Sequence, residues 1–209
     1  LSGCESASDW KTILIGGLNK GGCGYYALDV TDPANPKGLW EFSHEQLGYS
    51  FGNPVVTRRP SDGKWVVIFA SGYNNVAGGG CSSSNASSDG NGHVFVLDPM
   101  TGQLIDDIPT YTSGTTPAGS TGTPSGLAKI NAWLDNGHLN IASRLYGGDL
   151  LGNLWRIDFD NQYEPDGKEA TRIAQLVTSA GIAQPVTTLP ELNVIKAGTA
   201  MHDVIFVGT

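Results

Sequence analysis

The sequence predicts an all-β chain that folds as part of a β-propeller, and three observations lead to this prediction. Glycine makes up 29 of the 209 residues, about twice the average usage of roughly 7%. The glycines separate short runs of β-branched and aromatic residues, which is typical of strands joined by tight turns. A glycine, an apolar run and an aspartate also recur three times along the chain. Such repetition indicates a repeat architecture.

The three copies of this pattern begin at Gly24, Gly92 and Gly152, so the spacing is 68 and then 60 residues. Propeller blades usually span roughly 40 to 50 residues. The excess falls in two stretches, 72–91 and 109–125, which are rich in Gly, Ser, Thr and Pro and too polar to pack a core. We therefore expect two loop insertions in an otherwise regular repeat.

Each unit contains four candidate strands. We expect the two central strands of successive units at 11–16 and 24–30, 65–71 and 92–98, and 143–148 and 153–159. Inner strands are expected at 53–57, 127–134 and 185–188, and outer strands at 39–42, 103–105 and 172–177. A further copy of the second strand lies at 204–208. These strands predict about three and a half blades of a larger ring, at 1–47, 48–108, 126–180 and an incomplete 184–209.

A local turn signal supports this arrangement. Asn136-Gly137 lies between the candidate strands 127–134 and 141–146, and this dipeptide favours a two-residue type I′ hairpin turn. The alternative fold is a β-sandwich, which would need strands at closer and more even spacing.

Composition and charge exclude several classes of protein. Twelve basic and 20 acidic residues give a net charge of -8, and Lys and Arg form no cluster, so a nucleic-acid surface is not expected. The longest apolar runs, such as 66–70, are far shorter than the roughly 20 residues of a spanning helix. The abrupt beginning and end predict a mature fragment of a longer chain.

No set of residues in the sequence predicts catalysis. The repeated aspartates Asp29, Asp98 and Asp158 stand where a strand meets a turn, and an Asp there can accept hydrogen bonds from amides two residues ahead. The four histidines form no pair with ligand spacing, so we expect them on the surface or in hydrogen-bonded packing. They are His44, His93, His138 and His202.

Acidic residues at 158–169 have the spacing of a calcium loop, but Tyr163 stands where such a loop needs glycine. Pro165 restricts the backbone further, so a solvated acidic turn is the preferred interpretation. No catalytic, cofactor-binding or metal-binding residue is therefore expected.

Three cysteines leave an odd count. Cys23 and Cys81 both lie between the second and third strands of neighbouring units, so they emerge on one face, and a Cys23–Cys81 disulfide is favoured. The alternative is Cys4–Cys23 across the first hairpin. A bridge would imply an oxidising compartment, either the periplasm or the cell exterior.

Five segments resemble the PilC/PilY family of type IV pilus tip-associated adhesins. They are Gly16-Gly17-Leu18, 24–33, 48–54, 92–102 and, above all, Tyr146-Gly147-Gly148-Asp149-Leu150-Leu151-Gly152-Asn153-Leu154-Trp155-Arg156. The similarity covers nearly the whole chain in the family's order. It implies the carboxy-terminal propeller of a large, exported protein.

The resemblance also implies a function and its setting. It implies a non-enzymatic surface protein of the pilus tip or outer membrane, exported through the periplasm, that serves pilus biogenesis, retraction control and adhesion. The implied partners are the rest of its own longer chain, minor pilins and a host or surface receptor, with no nucleic acid and no membrane-spanning segment.

The chain departs from the family in one place. Members of the family carry a calcium loop before the Tyr-x-Gly-Asp-Leu segment, and the matching stretch here is 135–143. If the ligand positions are the first, third, fifth and ninth, only Asp135 offers a carboxylate, because Gly137, Leu139 and Ser143 take the other three. The calcium loop of the family is therefore expected to be degenerate here.

Two other functions remain as alternatives. The run Ala27-Leu28-Asp29, followed by Trp40, is similar to the repeats of quinoprotein dehydrogenases, but the chain has no adjacent cysteine pair and too few blades to enclose a quinone. A general protein-interaction propeller would use the loops 72–91 and 109–125 as its contact surfaces.

Overall fold

The computed structural model describes residues 10–78, 87–113, 116–162 and 169–209. Every regular element in these four ranges is a β-strand, which confirms the all-β prediction. The same residues include no helix that is long and apolar enough to cross a membrane.

The first sheet contains three antiparallel strands in sequence order. They are β1 (Ile13–Gly17), β2 (Tyr25–Asp29) and β3 (Lys37–Phe42). Successive residues of a strand point to opposite faces, so Tyr25 and Ala27 lie on the same face, and both are almost fully buried. That face of the sheet contributes to the core.

An eight-stranded sheet follows, which consists of two four-stranded antiparallel units. We call the first sheet and these two units the first, second and third blades. The second blade contains β4 (Val55–Arg58), β5 (Trp65–Ala70), β6 (His93–Leu97) and β7 (Leu104–Pro109). The third blade contains β10 (Lys129–Asn136), β11 (Ile141–Gly148), β12 (Asn153–Asp158) and β13 (Ala170–Gln175). A single parallel pairing of Ile141 with Arg58 joins these two blades.

The blades pack face to face through two apolar clusters. The cluster between the first and second blades includes Tyr25 and Phe69, whose rings stack with centroids 3.8 Å apart. The cluster between the second and third blades includes Ile68, Val96 and Trp155, all fully buried. Consecutive antiparallel sheets that pack in this way are blades of a propeller, so the predicted fold class is confirmed.

The central strands are placed where the sequence predicts them. All six begin and end within two residues of their predicted bounds. The repeated aspartates also do what the pattern predicts: Asp29, Asp98 and Asp158 each accept a hydrogen bond from the amide two residues ahead, at 2.9, 2.9 and 3.2 Å. How the connecting loops divide between the blades stays a prediction.

The inner strand of the fourth unit was predicted at the wrong place. Residues 185–188 form no strand; instead β14 (Glu191–Ala197) pairs with β15 (Ala200–Phe206). Pro185 is the first residue of the predicted stretch and has no backbone N–H to donate, and Pro190 follows two residues after its end. Val186 N donates to Asp149 O at 2.9 Å, so this stretch is used to contact the third blade.

The predicted two-residue turn is also wrong. β10 continues through Asn136, which pairs with Ile141, so the hairpin has a four-residue loop. The Asn136 side chain accepts hydrogen bonds from the amides two and three residues ahead, at 3.1 and 3.2 Å. The left-handed conformation falls at Asn140, with φ of 51°. An Asx turn has taken the place of the expected type I′ turn.

Candidate binding face

The two long loops lie at the same end of the second blade. In a four-stranded antiparallel blade, the connection between the second and third strands and the exit from the fourth strand share one end. The connection between β5 and β6, described at 71–78 and 87–92, therefore meets the segment after β7, described at 110–113 and 116–128. Residues 18–24 of the first blade and 149–152 of the third lie at the corresponding end. We call this end the loop face and the opposite end the turn face.

Backbone hydrogen bonds hold the loop of the second blade against the segments that enter the second and third blades. Tyr49 N donates to Tyr73 O at 2.7 Å, and Tyr73 N donates back to Tyr49 O at 3.2 Å. Gly72 N donates to Leu127 O at 2.7 Å. Gly72 has a φ of 75°, and a Cβ built on it would lie 2.0 Å from Tyr49 O, so only glycine permits this approach.

Two fully buried asparagines join the insertion loops to each other. Asn91 Oδ1 accepts hydrogen bonds from Thr110 Oγ1 and from the amides of Ala118 and Gly119, at 3.1, 3.1 and 3.3 Å. Asn75 Nδ2 donates to Asn91 O at 2.6 Å. Hydrogen bonds, and not apolar packing, therefore hold these loops together.

Sequence reasoning missed both the asparagines and a short hairpin beside them. The stretch 109–125 contains β8 (Tyr111–Ser113), which pairs with β9 (Thr116–Pro117). A signal was present, because a Gly-Asn pair recurs beside the third strand of two units, at Gly90-Asn91 and Gly152-Asn153.

The most densely hydrogen-bonded carboxylate on the loop face belongs to Asp149, which is fully buried. It accepts from Ser125 Oγ at 3.1 Å, from the amides of Leu151 and Asn153 at 3.0 and 2.8 Å, from Asn153 Nδ2 at 2.8 Å and from Trp155 Nε1 at 2.9 Å. Five donors satisfy the buried charge. Asp149 belongs to the segment that carries the family resemblance, and its role there is therefore structural.

Apolar side chains are exposed on this face. The rings of Phe51 and Tyr73 pack with centroids 5.6 Å apart, and both side chains are partly exposed. Leu18 is 48% exposed in the loop of the first blade, and Leu150 is half-buried in that of the third. Side chains from three blades thus present apolar surface on a base ordered by hydrogen bonds.

His93, at the start of β6, forms an ion pair with two carboxylates. Its Nδ1 lies 2.7 Å from Asp107 Oδ1, and its Nε2 lies 3.5 Å from Asp89 Oδ1 in the insertion loop. Burial disfavours the charged imidazole, but the hydrogen bonds and charges of Asp107 and Asp89 outweigh it and raise the pKa of His93 to about 9. His93 therefore attaches the end of the loop to the blade.

This pair predicts that stability falls in mild alkali. Because the pKa of His93 rises from 6.5 to about 9 on folding, its contribution is complete below pH 6.5 and is lost as the pH rises through 9. Urea unfolding at pH 6.5 and 9.5 should show a loss on the order of 2–3 kcal/mol. The His93→Gln variant should lose this difference, and an equal loss in both proteins would contradict the assignment.

The predicted disulfide stays a prediction. Cys23 lies between β1 and β2, as expected, and is 9% exposed. Both Cys4 and Cys81 lie outside the described residues. The other three histidines carry no pair of close carboxylates among the described residues; His44 packs its ring on Phe42.

Residues 158–162 and 169 of the acidic stretch 158–169 lie at the turn face, and 163–168 lie outside the described residues. The Asp160 carboxylate accepts hydrogen bonds from Ser61 N and Oγ at 2.8 and 2.6 Å, so it is engaged within the chain. Beside it lies a cavity of about 580 Å³ whose lining includes Asp106, Asp107 and Glu169. Across the described residues, no three His, Cys, Asp or Glu side chains are placed to hold a metal ion together.

Comparison with known proteins identifies relatives of the chain. It is 36% identical over 222 residues to the type IV pilus biogenesis factor PilY1 of Pseudomonas aeruginosa strain PAO1, an alignment that covers 96% of this chain and 17% of the relative. A PilY1 homolog of Xylella fastidiosa is 31% identical over 202 residues, covering 94% of this chain and 14% of that protein. The chain thus spans less than a fifth of the length of these curated relatives.

A solved structure and a family model agree with these relatives. The crystal structure of the Pseudomonas aeruginosa PilY1 C-terminal domain superposes with a TM-score of 0.72 at 33% identity, over 96% of this chain and 40% of that one. The model of the PilY1 beta-propeller domain matches residues 4–209. The chain therefore belongs to the PilY1 β-propeller domain family.

Proposed function

We propose that this chain is the propeller portion of a type IV pilus biogenesis factor and that it acts as a protein-binding platform, not as an enzyme. The observation that carries the proposal is the loop face, where Leu18, Phe51, Tyr73 and Leu150 offer apolar surface on a hydrogen-bonded base. The names of the relatives connect such a propeller to pilus biogenesis.

The partners proposed for this face are minor pilins and the other parts of a longer chain. Adhesion to a host or surface receptor and control of retraction are the wider activities that such a platform would serve. The proposed location is the pilus tip or the outer cell surface, reached through the periplasm. A Cys23–Cys81 disulfide would suit this oxidising route.

The test compares two exposed apolar residues on opposite faces. In the full-length protein, expressed in its own bacterium in place of the normal copy, Leu18→Glu places a charge on the loop face. Met100→Glu places the same charge on the turn face, where Met100 is 41% exposed against 48% for Leu18. Because a charge in an apolar contact is costly, Leu18→Glu should reduce the number of surface pili by about 3-fold or more.

The control variant should leave the number of pili unchanged. Immunoblotting must show that both variants are exported in equal amounts. Equal pilus numbers in the Leu18→Glu strain and the parent strain would rule out a pilus-assembly contact at this position.

A further inference from the structure

The hairpin between β10 and β11 occupies the place where the family resemblance implies calcium. The structure tests whether its residues fit that ion. Calcium takes 6–8 oxygen ligands, several of them from carboxylates. Here the third and fifth positions are Gly137 and Leu139, which offer no side-chain oxygen, and the Leu139 side chain is 43% exposed. The residues do not fit a calcium ion.

Asp135, the one carboxylate of the stretch, is engaged by the chain itself. Its Oδ2 accepts hydrogen bonds from Ser143 N at 2.9 Å and from Ser143 Oγ at 2.6 Å. These are the first and ninth positions of the stretch, so its two ends are bonded directly to each other. The other oxygen, Oδ1, lies 3.4 Å from Arg144 Nη2.

Arg144 therefore brings a positive charge to the carboxylate that would otherwise attract a cation. Its guanidinium lies 5.3 Å from the centre of the Trp133 ring, which holds it over the hairpin. Its Nη1 lies 3.8 Å from Asp203 Oδ2 in β15. A divalent ion beside Asp135 would meet the repulsion of this fixed charge.

We infer that Arg144 supplies the positive charge of this hairpin, closing it around Asp135 without calcium and linking the third blade to the β14–β15 hairpin through Asp203. The side chains of Arg144 and Asp135 are 20% and 31% exposed, so their ion pair is partly shielded from water, whereas Asp203 is 53% exposed. The closure of the hairpin is therefore independent of the calcium concentration, in contrast to what the resemblance implies.

The first experiment measures thermal unfolding of the chain in a chelator and in about 5 mM CaCl₂, above the roughly 10⁻³ M range of weak extracellular sites. The melting temperature should differ by no more than about 2 °C, because an ion that does not bind the folded state cannot stabilise it. A rise of several degrees with Ca²⁺, lost in Asp135→Ala, would overturn the inference.

The second experiment measures amide hydrogen exchange of Ser143, whose N–H is bonded to Asp135. In Arg144→Gln, exchange should be at least about 5-fold faster, because the carboxylate loses its cationic partner. Arg144→Lys keeps the charge and should restore most of the protection. Unchanged exchange in Arg144→Gln would show that the guanidinium does not hold the hairpin.

A gain of binding provides a control that does not depend on a loss of stability. A Cβ added at Gly137 would meet no atom within 4 Å, so Gly137→Asp fits the loop. Combined with Leu139→Asp, Ser143→Asp and Arg144→Gln, it supplies four carboxylates and removes the guanidinium. This variant should gain at least about 5 °C on addition of Ca²⁺. A gain of equal size in the natural chain would contradict the inference that its own residues do not fit the ion.

Discussion

Replacing Asp149 by alanine is expected to lower the free energy of unfolding by about 3–5 kcal/mol, as measured by urea denaturation. The carboxylate is fully buried, and its removal leaves five hydrogen-bond donors without an acceptor. The indole N–H of Trp155 is one of them, and it lies within the cluster between the second and third blades. Removing this carboxylate therefore disturbs the core as well as the loop face.

The matched control is Asp32→Ala. Asp32 also receives hydrogen bonds at a turn, from Ala34 N at 3.1 Å and Asn35 Nδ2 at 2.8 Å, but it is exposed to water. Its donors can bond to water after the substitution, so a loss of no more than about 1 kcal/mol is expected. Similar losses in the two variants would show that the Asp149 network contributes little beyond an ordinary turn.

Gly72→Ala is the second substitution with a large expected effect, a loss of about 3 kcal/mol or more in the free energy of unfolding. The alanine Cβ would lie 2.0 Å from Tyr49 O, and the surrounding backbone hydrogen bonds prevent the two segments from separating. Gly72 also has a φ of 75°, which by itself costs an alanine about 1–2 kcal/mol. Two separate costs are thus combined at one position.

Gly78→Ala separates these two costs. Gly78 lies in the same connection between β5 and β6 and has a φ of 76°, but a Cβ there meets no atom within 4 Å. The decrease in the free energy of unfolding caused by Gly78→Ala should therefore reflect the cost of the backbone conformation alone. The difference between the variants in urea unfolding should be at least about 2 kcal/mol. A difference near zero would mean that the blades move apart readily at this contact.

The central strands and the aspartate turns were predictable because both depend on nearby residues. The strand signal is an apolar run next to a glycine, and the Asx turn at Asp98 involves an amide two residues ahead. The wrong predictions concern residues whose conformation depends on contacts with distant segments of the chain. Residues 185–188 are drawn to the third blade by the bond from Val186 N to Asp149 O, and no local pattern reports that contact.

The loop face shows the same division. The sequence predicted that 72–91 and 109–125 are polar insertions but not that Asn91 would join them, because its partners Thr110 and Ala118 are 19 and 27 residues away. Likewise, the absence of calcium ligands could be deduced from the residue types at 135–143. The engagement of Asp135 by Arg144 required the geometry of the folded hairpin.

The contacts between Tyr49, Tyr73, Gly72 and Leu127 are made by main-chain atoms. The backbone hydrogen bonds of Tyr49 and Tyr73 do not require a particular side chain at either residue, in contrast to Gly72. The partly exposed side chains of Tyr49 and Tyr73 can therefore change while these bonds remain. In these residues the main-chain atoms hold the blades together, and the side-chain atoms are available to contact a partner. A propeller built in this way can acquire new binding preferences through point substitutions on one face while the spacing of its blades stays constant.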